Sequence, residues 1–310
     1  MTNRLILTLG FCSLLISIAY YFFPDFRRNA LPLFSSADLR WIALALMATV
    51  LHFLSEVVRW WLYLRKDVVG EPALLRKLLS IFSLTAFLTY LLPAKLGFPL
   101  RLYLLNSQLR ITLTQTSVLL VVDGFLSYGT WLIATILLYL ALPSFPFSGQ
   151  VLPYAIGVLG LAFVAITFVV RSRGAALRNL RAQVESIEFC TLLTAEFVLI
   201  VDIGGYVLRH AAILWALGMY LSPIQIAFAT VLSITVGFLS MLPMGIGAYD
   251  VTLILLLSQY GVPEEVAVVV PLINRVGNLL VAVLLGLPAS YVTGMSLITL
   301  RERLKTTAVS

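Results

Sequence analysis

Lys95, Arg101 and Arg275 are cations set among apolar residues, and Asp123 and Asp250 are carboxylates in similar settings. A charged side chain at the centre of a membrane helix costs about 2.5–3.5 kcal/mol on insertion scales, so each such group needs a partner, water or a role. Lys95 and Arg101 flank an interruption at Pro93–Gly97, and Asp250 follows a second one, Pro243-Met244-Gly245-Ile246-Gly247. Arg275 stands between Asn274 and Asn278. A phosphate-bearing headgroup would offset the desolvation of these cations through charge-assisted hydrogen bonds, with arginine suited to bidentate binding. The two aspartates can neutralise the cations of an empty site or carry coupling protons, and spacing does not choose between these roles.

A second polar set has a plainer reading. His52, Glu56 and Arg59 fall at i, i+4 and i+7 on one helical face, and Asp202 precedes Arg209 by two turns. The expectation is helix-face pairing of Glu56 with Arg59 and of Asp202 with Arg209, or snorkelling near a membrane edge. Gly245-Ile246-Gly247 looks like a phosphate loop but lacks a third glycine, a preceding strand and a Walker lysine, so it reads as a helix break. No metal-ligand or cofactor motif occurs. His52 and His210 are far apart in sequence, and no Ser-His-acid grouping is indicated by spacing. Cys12 and Cys190 both lie in apolar runs, which supports neither a disulfide framework nor a metal cluster.

The elements that hold these residues follow from composition. The 310 residues are 61% hydrophobic and 11% charged, with a mean hydropathy of +1.01, whereas a soluble domain carries roughly a quarter charged residues. The chain is therefore expected to be an all-α, polytopic membrane helix bundle, a single membrane domain over 1–310. Its net charge of +7 is spread over short segments between apolar runs, which excludes a nucleic-acid surface.

Stretches near 41–63, 112–141, 151–170, 190–217, 226–242 and 264–293 meet or approach the length of a membrane span. The run from Leu5 to Phe23 exceeds a signal-peptide core and is expected to be a retained helix. A shorter run, 78–92, would reach only about 22 Å. Basic residues in 65–77, 171–188 and the tail place those segments, and both termini, on the cytoplasmic side of the cell (inner) membrane. The loop 24–40, with Arg27, Arg28 and Arg40, argues the other way.

The chain also aligns with itself, without a gap, at an offset of 150. Ser83-Leu84-Thr85 lies over Ser233-Ile234-Thr235, Leu92-Pro93 over Leu242-Pro243, Gly97 over Gly247 and Arg59 over Arg209. Repeat A is expected over about 4–141 and repeat B over about 151–293. If 78–92 with 98–110 and 226–242 with 248–260 are re-entrant hairpins, the basic loops close only when the halves have opposite orientation. Two inverted repeats with broken hairpins are a common plan of secondary transporters. The alternative is that Pro93 and Pro243 merely kink or end ordinary spans.

On these residues the sequence resembles the lysylphosphatidylglycerol synthase transmembrane-region family of flippase-like proteins. The family's P-x-[RK]-x-G-E-x-x-R-like stretch is matched by Pro93, Lys95, Gly97 and Arg101, with Phe98 at the acidic position. Its P-x-G-[IL]-G stretch with a following acid is matched by Pro243, Gly245, Ile246, Gly247 and Asp250. Asp123 and Arg275 correspond to its mid-helix acid and late arginine, while an arginine shortly before that acid has no counterpart in Leu119-Leu120-Val121-Val122.

The resemblance implies translocation of an anionic, aminoacylated or polyprenyl- or isoprenoid-linked lipid. Its partners would be that lipid and a separate lipid-synthesising enzyme, with no cofactor. Only nineteen residues follow Tyr291, so the synthase domain of aminoacyl-lipid members is not expected here. Two other readings stand beside it: an intramembrane lipid-modifying enzyme with Asp123 or Asp250 as general base, and a scaffold for a glycosyltransferase or lipid synthase.

Overall fold

A computed structural model describes residues 31–66, 68, 73–91, 97–142, 188–240, 245 and 247–292. The elements among them are all α-helices. The expected spans over 5–23 and 151–170, and Pro93, Lys95 and Pro243, lie outside the described residues. After a short helix α1 (Leu31–Ser36) come α2 (Leu39–Leu64), α3 (Leu74–Leu91), α4 (Gly97–Leu109) and α5 (Leu113–Ala141). They are followed by α6 (Phe189–Ala216), α7 (Pro223–Leu239), α8 (Ala248–Gln259) and α9 (Glu264–Val292). The helices α2, α5, α6 and α9, the last over Glu264–Ser290, are long and apolar enough to cross a membrane.

Caps explain two of the differences from the sequence reading. Asp38 is the N-cap of α2, accepting from the Arg40 N–H at 2.9 Å, so a residue counted as a loop charge instead satisfies a helix end. Part of the expected loop 24–40 is helix α1. The expected span 226–242 begins and ends three residues earlier, because Ser222 and Gln225 form a capping box with Pro223 in the first turn. The expected short run at 78–92 is the eighteen-residue α3, about 27 Å long. It extends through Arg76 and Lys77, which an apolarity criterion leaves out.

Helices α2 and α6 run antiparallel along their full length. The Asp38 N–H donates to the Ala216 carbonyl at 3.0 Å, His52 meets Asp202 at 2.9 Å, and Lys66 pairs with Glu188. Fourteen residues up α2 match fourteen down α6 at each step. At about 1.5 Å per residue, His52 and Asp202 lie about 21 Å from either end pair, close to mid-span. At the lower end, the Lys66 ammonium holds the exposed Glu188 carboxyl below the usual carboxylate range. That depressed value adds stability above the free carboxylate range, and the contribution is lost as pH falls through it, though an exposed pair contributes little.

Two apolar cores organise the rest. One gathers α7, α8 and one end each of α2, α5, α6 and α9, around Phe228, Ala212 and Val269. The other gathers α3, α4 and the opposite ends of the same four long helices, around Trp60, Phe82 and Leu104. Polar residues fall between these ends on each long helix. Helix α3 packs on α9, and α7 on α5. The repeated Ser83, Thr85, Ser233 and Thr235 are all buried in these packed faces.

The α7–α8 connection turns through Gly245 and Gly247, at φ +64° and +86°. A Cβ on Gly245 would lie 3.0 Å from the Gly237 Cα, so the turn closes backbone on backbone. An even closer approach occurs at Gly286 of α9, where a Cβ would meet the Phe87 side chain and the Ser83 carbonyl of α3. Gly286→Leu is therefore expected to destabilise the protein by about 1–3 kcal/mol, the usual cost of overpacking. Thermal unfolding in detergent reads this out, and an unchanged midpoint would contradict the α3–α9 packing.

Candidate functional site

Helix α2 carries the first polar cluster. Glu56 accepts from Arg101 Nη1 of α4 at 2.6 Å, while Arg101 Nε donates to Thr85 at 3.4 Å and its guanidinium lies 4.1 Å from the Phe82 ring centre. One turn further along, Arg59 Nη1 donates to Ser127 of α5 at 2.8 Å and lies 3.4 Å from Asp123. The Tyr63 hydroxyl donates to the same aspartate at 3.3 Å. Arg59, Arg101 and Asp123 are all buried. Both buried guanidiniums of this cluster, Arg59 and Arg101, thus face a carboxylate from another helix, the arrangement that keeps the cost of buried charge tolerable.

At mid-span, His52 Nδ1 faces both Asp202 oxygens, at 2.9 and 3.1 Å. Its Nε2 meets the Tyr206 hydroxyl at 2.9 Å. From Tyr206 the polar chain continues into the second half. The Tyr206 carbonyl can only accept, so His210 Nδ1 donates to it at 2.8 Å. Nε2 then lies 2.6 Å from the Tyr249 hydroxyl, whose oxygen accepts from Asn274 Nδ2 at 3.0 Å.

The second cluster surrounds the α7–α8 turn. Arg275 of α9 makes a bidentate pair with Asp250, Nε to Oδ1 at 2.9 Å and Nη2 to Oδ2 at 2.6 Å. Asp250 also accepts from the Gly247 N–H at 2.9 Å, capping the start of α8. This pair is a fifth to a quarter exposed, against 7% and 12% for Arg59 and Asp123. Arg209 stands apart from the other buried arginines, Arg59 and Arg101. It donates to Asn278 at 2.8 Å and lies 4.4 Å over the Tyr206 ring, yet forms no ion pair among the described residues. Its Nε is buried without a hydrogen-bond partner, as is Nε of Arg59, its counterpart at the 150-residue offset.

A family profile, the lysylphosphatidylglycerol synthase TM region, matches residues 10–286. The chain belongs to that family. Neither a curated protein nor a solved structure gives a match. Within the family pattern, two charges that the resemblance calls for are missing from their motif positions, and α2 supplies both. Phe98 stands at the acidic position, and Glu56 provides the carboxylate for Arg101. Leu119 to Val122 offer no arginine, and Arg59 provides the cation for Asp123.

The expected local pairs are therefore corrected. Glu56 pairs with Arg101 rather than with Arg59, and Asp202 pairs with His52 rather than with Arg209. In both cases the acid turns to a facing helix: Glu56 meets Arg101 of α4, and Asp202 meets His52 on the antiparallel α2. Asp250 neutralises Arg275, one of the pairings anticipated for an empty site, whereas the partner of Asp123 is Arg59. Sequence reasoning gave no role to Tyr206, Tyr249, Asn278 and Ser127. Two of these carried a readable signal, since Tyr206 falls at the 150-residue offset from Glu56, and Asn278 lies one turn beyond Asn274.

Proposed function

We propose that this membrane protein is a flippase-like lipid translocator, moving an anionic, aminoacylated or polyprenyl- or isoprenoid-linked lipid across the cytoplasmic membrane. The observation that carries the reading is the Arg275–Asp250 pair at the first turn of α8. There a carboxylate occupies a bidentate guanidinium and the backbone N–H of a helix start. A lipid phosphate also offers two oxygens to a guanidinium fork and has the same charge preference at a helix start. Exchange of carboxylate for phosphate, with acyl chains left in the bilayer, fits a site that is partly open. Arg101, neutralised by Glu56, and Lys95 supply the corresponding cations beside the other break.

The antiparallel run of α2 against α6 and the mutual packing of each hairpin on the other half's long helix support two inverted repeats. Rocking of the two broken hairpins would open the site to each side in turn. The Lys66–Glu188 pair joins the ends of two basic segments, which supports a common cytoplasmic side for them. A separate lipid-synthesising enzyme would deliver the substrate.

Reconstitution into vesicles containing a headgroup-labelled phosphatidylglycerol, with a membrane-impermeant quencher, tests this. Wild-type protein is expected to expose label from both leaflets without altering lipid mass. Label confined to one leaflet overturns the reading. A changed lipid mass replaces it with that of an intramembrane enzyme.

A further inference from the structure

Between α2, α6 and α9 lies a cleft of about 210 Å³, walled by Ile42, Leu46, Ile213, Ile273, Val276 and Leu280, with Arg209 as its charged group. It is larger than the roughly 150 Å³ apolar cavity that takes up a benzene. Its rim residues Leu39 and Val276 are 79% and 62% exposed, so the cleft opens onto apolar surface. An apolar cleft alone would point to no particular occupant. Arg209 changes that, because it is 3% exposed, forms no ion pair among the described residues and holds an unpartnered Nε.

The 150-residue offset sharpens the contrast. Arg59 stands where Arg209 stands, but its surroundings are polar: Asp123 pairs with it and Ser127 accepts from it, while Thr130 donates to Glu196 nearby. In the cleft the corresponding residues are Ile273 for Asp123, Gly277 for Ser127, Leu280 for Thr130 and Leu46 for Glu196. The same framework thus keeps its guanidinium, loses both acids and gains apolar walls. A buried guanidinium without a counter-ion is costly. A ligand that brings both an anion and a hydrocarbon chain satisfies both changes at once.

We propose that the cleft is a binding site for an anionic lipid, with its phosphate against Arg209 and one hydrocarbon chain along Ile42, Ile213 and Ile273. The site is distinct from Arg101 and Arg275 and goes beyond the translocation reading. Binding here without leaflet exchange would overturn that reading and leave this one standing.

Native mass spectrometry of the detergent-solubilised full chain tests it, using phosphatidylglycerol and the diacylglycerol with the same chains. Phosphatidylglycerol is expected to bind and diacylglycerol to bind at least roughly tenfold more weakly. Arg209→Gln should weaken phosphatidylglycerol binding by a similar factor. Ile273→Asp should do the same while keeping the fold, since it gives Arg209 the internal partner that Arg59 already has. Equal binding of the two lipids, or unchanged phosphatidylglycerol binding in both variants, overturns the proposal. A photoreactive residue at position 276 supplies a readout independent of those variants. Crosslinking to phosphatidylglycerol is expected, and crosslinking to the chain's own residues before Leu31 would show that a peptide segment fills the cleft instead.

Discussion

Asp123→Asn is expected to lower the thermal unfolding midpoint in detergent more than any other single charge-neutralising change in the bundle. Arg59 is 6% exposed, and Asp123 supplies its counter-charge at 3.4 Å. The asparagine still accepts from Tyr63, so what is lost is chiefly the negative charge. Stripping one partner from a buried pair costs about 3–5 kcal/mol, because the remaining ion stays desolvated. Ser127 leaves that charge only a neutral acceptor, and Nε has none. Removing both charges together, in Arg59→Met with Asp123→Asn, should recover most of the loss. If Asp123→Asn melts with the parent protein, the pair is not structural. If the double variant melts no higher than the single one, the loss does not come from unpaired charge.

The largest functional effect is expected at Arg275 and Asp250, and the two substitutions should act in opposite directions on binding. Arg275→Gln removes a bidentate guanidinium, and hydrogen bonds to charged groups contribute about 1.5–3 kcal/mol each. Lipid retained through purification should fall by about tenfold or more, and leaflet exchange should fall with it. Asp250→Asn instead removes the internal competitor for Arg275 and weakens the cap on the Gly247 N–H. Retained phosphate-bearing lipid should rise while exchange slows, because the carboxylate no longer displaces the headgroup. Lipid analysis of matched preparations, together with the vesicle assay, measures both. A fall in retained lipid in both variants would assign the pair to holding α8 in place. No change in either would remove Arg275 from the headgroup site.

Membrane class, the long helices and the family were legible because each rests on many residues at once. Apolar runs of more than twenty residues survive any single misjudgement, and their observed ends differ by only a few positions. The hairpin helices were legible through Pro and Gly punctuation, but the true start of α3 was hidden because Arg76 and Lys77 lie inside a helix. Pairing within the site was much less legible. His52 and Asp202 are exactly one repeat offset apart, yet an offset says which residues correspond and not which of them touch. Only the antiparallel register of α2 on α6 turns that correspondence into a contact. The Arg209 cleft was illegible for a related reason, since a missing carboxylate becomes visible only when its neighbours are known.

That contact at mid-span has a bearing on why the two aligned stretches differ at their centre. His52 and Asp202 occupy the one place along α2 and α6 where a residue meets its own counterpart. Two copies of the first half, assembled in this geometry, would bring histidine against histidine; two copies of the second would bring aspartate against aspartate, with like charges sharing one hydrogen-bonding position. An acid facing a base there is available only to two non-identical halves. In this chain the two aligned positions carry one base and one acid, so the centre of the α2–α6 contact is complementary where two identical side chains would not be.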